Sequence, residues 1–240
     1  MLFKSKLEKA IENQTHIGFV VERKPKSVVS EAYRTLRTNI QYSSFDKKIQ
    51  TILVTSAEAA EGKSTVSGNL ALAFAQNQSR VILIDCDLRK PSVHKNFKIS
   101  NLAGLSEVLI GKAELKDVIQ HRNDNLDVLT SGKIPPNPSE MLSSSVMTKL
   151  IERLRKEYDI VILDSAPIGA VTDAQILSTK VDGTILVTRA ERTKRDIVLE
   201  AKSSLDKIGA NILGCVLHAV ENTKGKYYYY YGTDGENKKK

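Results

Sequence analysis

From about residue 49 to residue 217 the chain alternates between short apolar runs and longer stretches with helical spacing. The apolar runs are Ile49–Thr55, Val81–Asp85, Leu126–Thr130, Ile160–Asp164, Gly183–Thr188 and Ile212–Leu217. Each has the length of a strand. Near-continuous apolarity, as opposed to strict alternation, marks strands covered on both faces. Helices are predicted over 62–77, 104–111, 113–120, 139–157, 172–180 and 193–208. Strands alternating with helices predict an α/β fold, a mostly parallel twisted sheet flanked by helices on both faces. Ahead of this region Val28, Val29, Ala32, Leu36 and Ile40 fall at helical spacing, which predicts a helix over 28–44. Residues 1–26 are polar and charged with little periodicity and predict a mobile arm or a short helix with a loose end. Residues 221–240 lose the pattern altogether and predict a disordered tail. The expected organisation is therefore an arm over 1–26, one domain over 27–220 and a tail over 221–240.

Composition narrows the class. The chain has 240 residues, 41% hydrophobic and 27% charged, enough to bury a substantial core in a soluble domain. No apolar run approaches the roughly 20 residues needed to span a bilayer, and the charged N-terminal stretch has no signal-peptide core. A cytoplasmic protein is expected. Cys86 and Cys215, far apart within apolar runs, fit small core residues better than a metal site or a disulfide. The net charge of +8 is dispersed and partly terminal, at Lys238, Lys239 and Lys240. With 5% aromatics and no basic–aromatic stripe, direct nucleic-acid binding is not expected.

The chemistry begins after the first strand. Thr55 to Thr65 has the placement of a phosphate-binding loop between a strand and a helix. The usual pattern is G-x-x-x-x-G-K-[ST]. Ala57 stands at the first glycine, whereas Gly62, Lys63 and Ser64 match. A helix N-terminus offers unpaired N–H groups and partial positive charge to a phosphate. Ala59, Ala60, Glu61, Gly62, Lys63, Ser64 and Thr65 are thus the candidate nucleotide contacts. Lys63 would neutralise β- and γ-phosphate oxygens, and the Ser64 hydroxyl would reach Mg²⁺. Two further strands end in carboxylates, at Asp85 with Asp87 and at Asp164. Ligands of open parallel sheets bind beyond the carboxyl ends of the strands, so these aspartates should gather at the phosphates and the metal. Asp164 alone could support the metal of an ordinary ATPase. The pair Asp85-x-Asp87 leaves a carboxylate to orient or deprotonate a nucleophile.

Five of the eight tyrosines are consecutive, Tyr227, Tyr228, Tyr229, Tyr230 and Tyr231. On an extended tail they would make good phosphoacceptors. A phenol, with a pKa of about 10, needs help to lose its proton.

These residues together resemble the bacterial protein-tyrosine kinase family, in its cytoplasmic form in Firmicutes, over nearly the whole chain. The likeness is carried by Ser56–Thr65, by Ile82–Pro91, by Ile162–Pro167, by Leu126–Gly132 with the Pro135, Pro136, Pro138 loop, by Thr172–Gln175 and by the tyrosine tail. It implies a P-loop NTPase-like fold using ATP and Mg²⁺. It implies that Asp85 orients or deprotonates the tyrosine and that Asp87 and Asp164, with Ser64, support the metal. Arg89 would stabilise phosphate charge or make a subunit contact. Glu31, Arg34 and Arg37 resemble an E-x-x-R-x-x-R subunit-contact motif, where the spacing alone would read as a solvated salt-bridged face. The resemblance further implies a homo-oligomeric ring, a membrane-anchored adaptor with a cytoplasmic segment that recruits the chain to the membrane, and protein substrates in capsule or exopolysaccharide synthesis.

Two departures matter. Ala59-Ala60 stands where the family often has Pro-Gly. If position 60 needs a positive φ, alanine costs roughly 1–2 kcal/mol. Ser165-Ala166-Pro167 stands where Thr-Pro-Pro is common and keeps the hydroxyl. The alternatives are a partitioning-type P-loop ATPase, against which Glu58 stands where a second lysine would be, and a non-catalytic ATP-binding scaffold of a polysaccharide export complex.

Overall fold

In the computed structural model, which describes residues 18–43 and 48–220, the apolar runs form strands of one sheet. In chain order these are β1 (Thr51–Ser56), β2 (Val81–Asp85), β3 (Ile119–Asn123), β4 (Leu126–Leu129), β5 (Ile160–Asp164), β6 (Gly183–Arg189) and β7 (Ile212–His218). Their spatial order is β3-β4-β2-β5-β1-β6-β7. Every pairing is parallel except β3 with β4. The helices are α1 (Val20–Arg23), α2 (Val28–Gln41), α3 (Lys63–Ala75), α4 (Val93–Phe97), α5 (Leu105–Leu109), α6 (Leu115–Val118), α7 (Pro138–Ser143), α8 (Ser145–Glu157), α9 (Asp173–Ser178) and α10 (Arg195–Asp206).

β1, β2 and β5 are buried along their full length, which is why their sequences are apolar without alternation. Successive side chains still point to opposite faces. Ile52, Val54, Leu83 and Ile162 meet Leu70 and Phe74 of α3, with Phe19 and Val21 from the N-terminal segment. Leu53, Ile82, Ile84 and Leu163 meet Leu105, Leu142, Leu154, Leu177 and Leu205 of the helices on the other face. The chain leaves β1 towards β2 on one side, while β6 lies on the other. The turning point between β5 and β1 opens a crevice at the carboxyl edge of the sheet.

The fold differs from expectation in several places. The helix expected over 113–120 is one turn, α6, that runs straight into β3. His121, Arg122 and Asn123 are polar because β3 is an exposed edge, and its pairing with β4 depends on a turn in which Asn123 Oδ1 accepts the Asn125 N–H. The helix expected over 139–157 is two helices, since Ser144 leaves helical conformation and caps α8 by accepting the Met147 N–H at 3.2 Å. Of the mobile arm or short helix with a loose end expected over 1–26, the part described from residue 18 holds the one-turn helix α1 and packs into the core. Phe19 and Val21 are core residues, and the Phe19 and Phe97 rings lie 4.4 Å apart. Asn69 Oδ1 accepts the Val21 N–H at 3.0 Å. Gly68 permits this docking, because a Cβ there would come within 2.1 Å of the Phe19 ring. The rest of the arm and the tail expected over 221–240, with Tyr227–Tyr231, lie outside the described residues.

Candidate nucleotide and phosphoryl-transfer site

The loop between β1 and α3 turns on two left-handed residues. Gly62 caps α3 at φ 92°, and Ala60 sits at φ 63°. Position 60 therefore does require a positive φ, and its Cβ works against the loop. Three contacts hold it there. Glu61, almost fully buried, accepts the Glu58 N–H at 2.8 Å and the Thr193 hydroxyl, and Arg189 Nη1 reaches the Ala60 carbonyl at 3.5 Å. The Glu61 side chain is thus a staple of the loop, which leaves its backbone N–H for a phosphate. Ala60→Gly is expected to stabilise the protein by about 0.5–1 kcal/mol, since relief of strain outweighs the added chain entropy. Thermal unfolding checks this, and an unchanged or lower midpoint would contradict the strain.

A cleft of about 610 Å³ lies over this loop. Ala59, Ala60, Gly62, Lys63, Ser64, Thr65, Asp87 and Arg89, all among the candidate site residues, line it. Lys63 Nζ meets Asp87 Oδ2 at 2.9 Å. Burial works against the lysine charge, but the fields of Asp164 and Asp87 outweigh it and raise the pKa. The Ser64 hydroxyl receives that of Ser92 at 2.8 Å.

Asp85 and Asp164 occupy facing positions on β2 and β5, both with no exposed surface. Burial, followed by the Asp164 charge, pushes Asp85 up to about 8, and burial raises Asp164 to about 6 against the pull of Lys63. Their surroundings differ otherwise. Asp85 accepts N–H groups from Asp87, Ser92 and Val93 at 3.2, 3.1 and 3.0 Å. It is the post on which residues 86–93 turn. The strand ends at Asp85 in a side-chain-closed turn, so strand alternation does not carry on to Asp87. Asp87 reaches the cleft and Asp85 stays behind its wall. Asp85 does not line the cleft, and the carboxylate presented there is that of Asp87.

Asp164 is the opposite case. Neither of its carboxylate oxygens has a hydrogen-bond partner. The hydroxyls of Ser64 and Ser67 temper its charge, but Ser67 donates to the Lys63 carbonyl at 3.0 Å. A buried carboxylate with two orphan oxygens beside a P-loop serine fits a hydrated cation. Among the described residues no three His, Cys, Asp or Glu side chains form a ready metal cage. Mg²⁺ needs none, because it keeps waters and takes phosphate oxygens.

Arg89 is gripped by Asp173. Nε meets Oδ2 at 2.8 Å and Nη2 meets Oδ1 at 3.0 Å, and Ser139 joins both partners. Ser92, Asp173, Ser139, Arg189 and His218 were not expected at the site. Arg189 and His218 end β6 and β7, so the strand-end rule that found the aspartates could have found them. The His218 ring lies against Gly62, where burial and then Arg189 lower its pKa.

The motif of Glu31, Arg34 and Arg37 lies on α2, away from the cleft. Glu31 and Arg34 form an exposed pair at 2.6 Å. Arg37 turns inward and donates to the Ala73 carbonyl at 3.0 Å, near the end of α3.

A family model described as an AAA domain matches residues 49–194. The tyrosine-protein kinase YwqD of Bacillus subtilis is 46% identical over 210 residues, covering 87% of this chain and 89% of that protein. The putative tyrosine-protein kinase CapB of Staphylococcus aureus is 42% identical, covering 89% and 95%. The kinase domain of the Escherichia coli tyrosine kinase ETK superposes with a TM-score of 0.82 at 37% identity, covering 89% of this chain and 84% of that one. The septum site-determining protein MinD of Pyrococcus horikoshii, complexed with Mg-ADP, superposes with a TM-score of 0.60 at 25% identity, covering 70% and 69%.

Proposed function

This chain belongs to the bacterial tyrosine-protein kinases, built on a P-loop nucleotide-binding fold, and from that premise we propose that it moves the γ-phosphoryl group of ATP onto its own Tyr227–Tyr231 and onto proteins of capsule or exopolysaccharide synthesis. The observation that carries the reading is the pairing of Lys63 with Asp87 at the cleft, with the buried Asp164, which has no hydrogen-bond partner, acting on Lys63 from behind the loop.

Phosphoryl transfer asks mainly for positioning and charge neutralisation. The loop N–H groups after Ala59 and at the start of α3 take phosphate oxygens. Lys63 exchanges Asp87 for the β- and γ-phosphates, which frees the Asp87 carboxylate at the cleft wall. Asp87 then accepts the hydrogen bond of the incoming tyrosine hydroxyl and takes its proton as the phenolic O–Pγ bond forms and the bond from Pγ to the β,γ-bridging oxygen breaks, that oxygen leaving with ADP. Asp85 serves at one remove, holding the 86–93 turn through three backbone hydrogen bonds. Mg²⁺, when bound, neutralises charge on the transferring phosphates, and Ser64, Asp164 and Asp87 would hold it and its waters.

Among the described residues no helix is long and apolar enough to cross a membrane. Recruitment from the cytoplasm by a membrane-anchored adaptor with a cytoplasmic segment fits that. The test is ATP-dependent phosphotyrosine formation by the full chain with such a segment, read by mass spectrometry. Phosphate on Tyr227–Tyr231 is expected. Tight ATP binding without phosphotyrosine would favour the non-catalytic scaffold.

A ring of copies is part of the same proposal. Arg34, on the exposed side of α2, is the residue placed to meet a neighbour. Arg34→Ala should lower the mass found by light scattering, beside a small loss of stability from the Glu31 pair and the bond to the Pro25 carbonyl. An unchanged mass would count against the contact.

A further inference from the structure

The cleft has more cationic and donor groups than a nucleotide uses. At one end Arg189 and His218 stand over Ala60 and Gly62, and Lys63 and Ser64 follow at the phosphate positions. Beyond Asp87 lie Arg89, Lys90 and Asn96, which line the same cleft. Among the described residues no hydrogen bond engages Arg89 Nη1, the Lys90 ammonium or the Asn96 side-chain amide. Arg89 is not a loose surface arginine. The fully buried Asp173 holds its Nε and Nη2 edge, with Ser139 bridging, so the guanidinium plane is fixed and the other edge is free.

We propose that Arg89, Lys90 and Asn96 form a subsite for an aryl phosphate, in which a phosphotyrosine already present on the acceptor segment docks beside the tyrosine next to be modified. Fixed guanidinium groups suit planar, multidentate phosphate recognition, and a lysine adds a second charge. The spacing agrees with the chain's own acceptor. In an extended segment, residues i and i+2 project to the same side about 6.5–7 Å apart. With one tyrosine at Asp87, a phosphate two residues away would meet the long side chains of Arg89 and Lys90, which line the same cleft. Each phosphate brings about 1.5–2 negative charges at neutral pH. Asp173, Asp87 and Glu140 also act on Arg89, so selection would rest on the specific donors lining this part of the cleft and not on net charge. The consequence is ordered modification: the first phosphate on the cluster makes the next transfer easier. Asp173 and Ser139 act as positioning residues in this scheme.

The inference rests on the tyrosine-kinase reading, and it is tested by binding, which needs no turnover. The protein is the full chain with Tyr227–Tyr231 replaced by phenylalanine and loaded with Mg-ADP. The probes are labelled peptides spanning Lys224–Gly232, one unmodified and one with phosphate on Tyr229. Fluorescence anisotropy should find the phosphopeptide at least about 10-fold tighter. Lys90→Ala, Arg89→Lys and Asp173→Asn should each erase most of that ratio, including where Asp173→Asn leaves ADP affinity unchanged. Equal affinity for the two peptides would overturn the subsite, as would a ratio that survives both Arg89→Lys and Lys90→Ala. Displacement of the phosphopeptide by excess ATP would place its phosphate in the nucleotide site and would also overturn it. A phosphopeptide preference in a protein that never forms phosphotyrosine would sink the kinase reading alone. Phosphorylated tails with no peptide preference would sink the subsite alone.

Discussion

Lys63→Met is expected to lower phosphotyrosine formation by at least about 10²–10³-fold, the scale seen when one preorganised charge-stabilising donor is lost. Methionine keeps much of the side chain's bulk and removes the only charge by which α3 can meet a phosphate. The effect on the fold separates this from a simple loss of structure. Lys63 also neutralises Asp87, which is almost fully buried, and its field offsets part of the burial penalty of Asp164. Its removal takes away the cation whose field acts on all three carboxylates, Asp85, Asp87 and Asp164. The nucleotide-free variant should therefore be less stable by about 2–4 kcal/mol near pH 8, as when one partner of a buried pair is deleted. The deficit should shrink near pH 5, where Asp85 and Asp164 hold protons. Mass spectrometry and thermal melts at the two pH values read both effects. Retained phosphotyrosine in a purified, folded variant would remove Lys63 from the phosphate role.

Asp164→Asn should move activity and stability in opposite directions. Activity should fall by about 10²-fold or more, because the orphan carboxylate is what fits the hydrated cation. Stability of the nucleotide-free protein should rise. Asp164 and Asp85 have raised pKa values in the fold, so between about pH 4 and pH 8 the folded chain binds more protons than the unfolded one. Stability contributed by the neutral forms is complete below about pH 4 and is lost as pH climbs through about 6 and about 8. Asparagine is uncharged throughout. Its gain at pH 8 is about 2 kcal/mol, or an unfolding midpoint higher by about 4–8 °C, with little gain at pH 4. The stabilisation that Mg-ATP gives the parent should largely vanish in the variant. A midpoint at pH 8 that is unchanged or lower would show that the Asp164 charge is not strained in the fold.

Much of the candidate site can be read along the chain because it follows local rules. Gly62-Lys63-Ser64 between a buried strand and a helix specifies a phosphate loop, since only a helix N-terminus presents free N–H groups there. Asp85 and Asp164 end apolar strands, and parallel strands in one sheet bring their carboxyl ends to one edge. The roles of the two are not readable in the same way. Whether an aspartate caps a turn or stands without a partner depends on the N–H groups around it. Ser92 and Val93 supply them to Asp85 after the chain has turned back, and no equivalent turn reaches Asp164. The grip of Asp173 on Arg89 spans 84 positions and joins α9 and α7 to the turn after β2.

By itself the sequence determined the α/β class, the buried strands β1, β2 and β5, the phosphate loop and the carboxylates at the sheet edge. Each of these depends on side-chain period or on residues adjacent in the chain, and both survive in one dimension. Only the tertiary structure decided that Phe19 and Val21 belong to the core, that β3 is a strand, that Arg37 turns in to α3 and that Asp87, not Asp85, faces the cleft. Those outcomes depend on which distant groups compete for the same donor, acceptor or apolar surface, and that competition exists only once the sheet has brought them together.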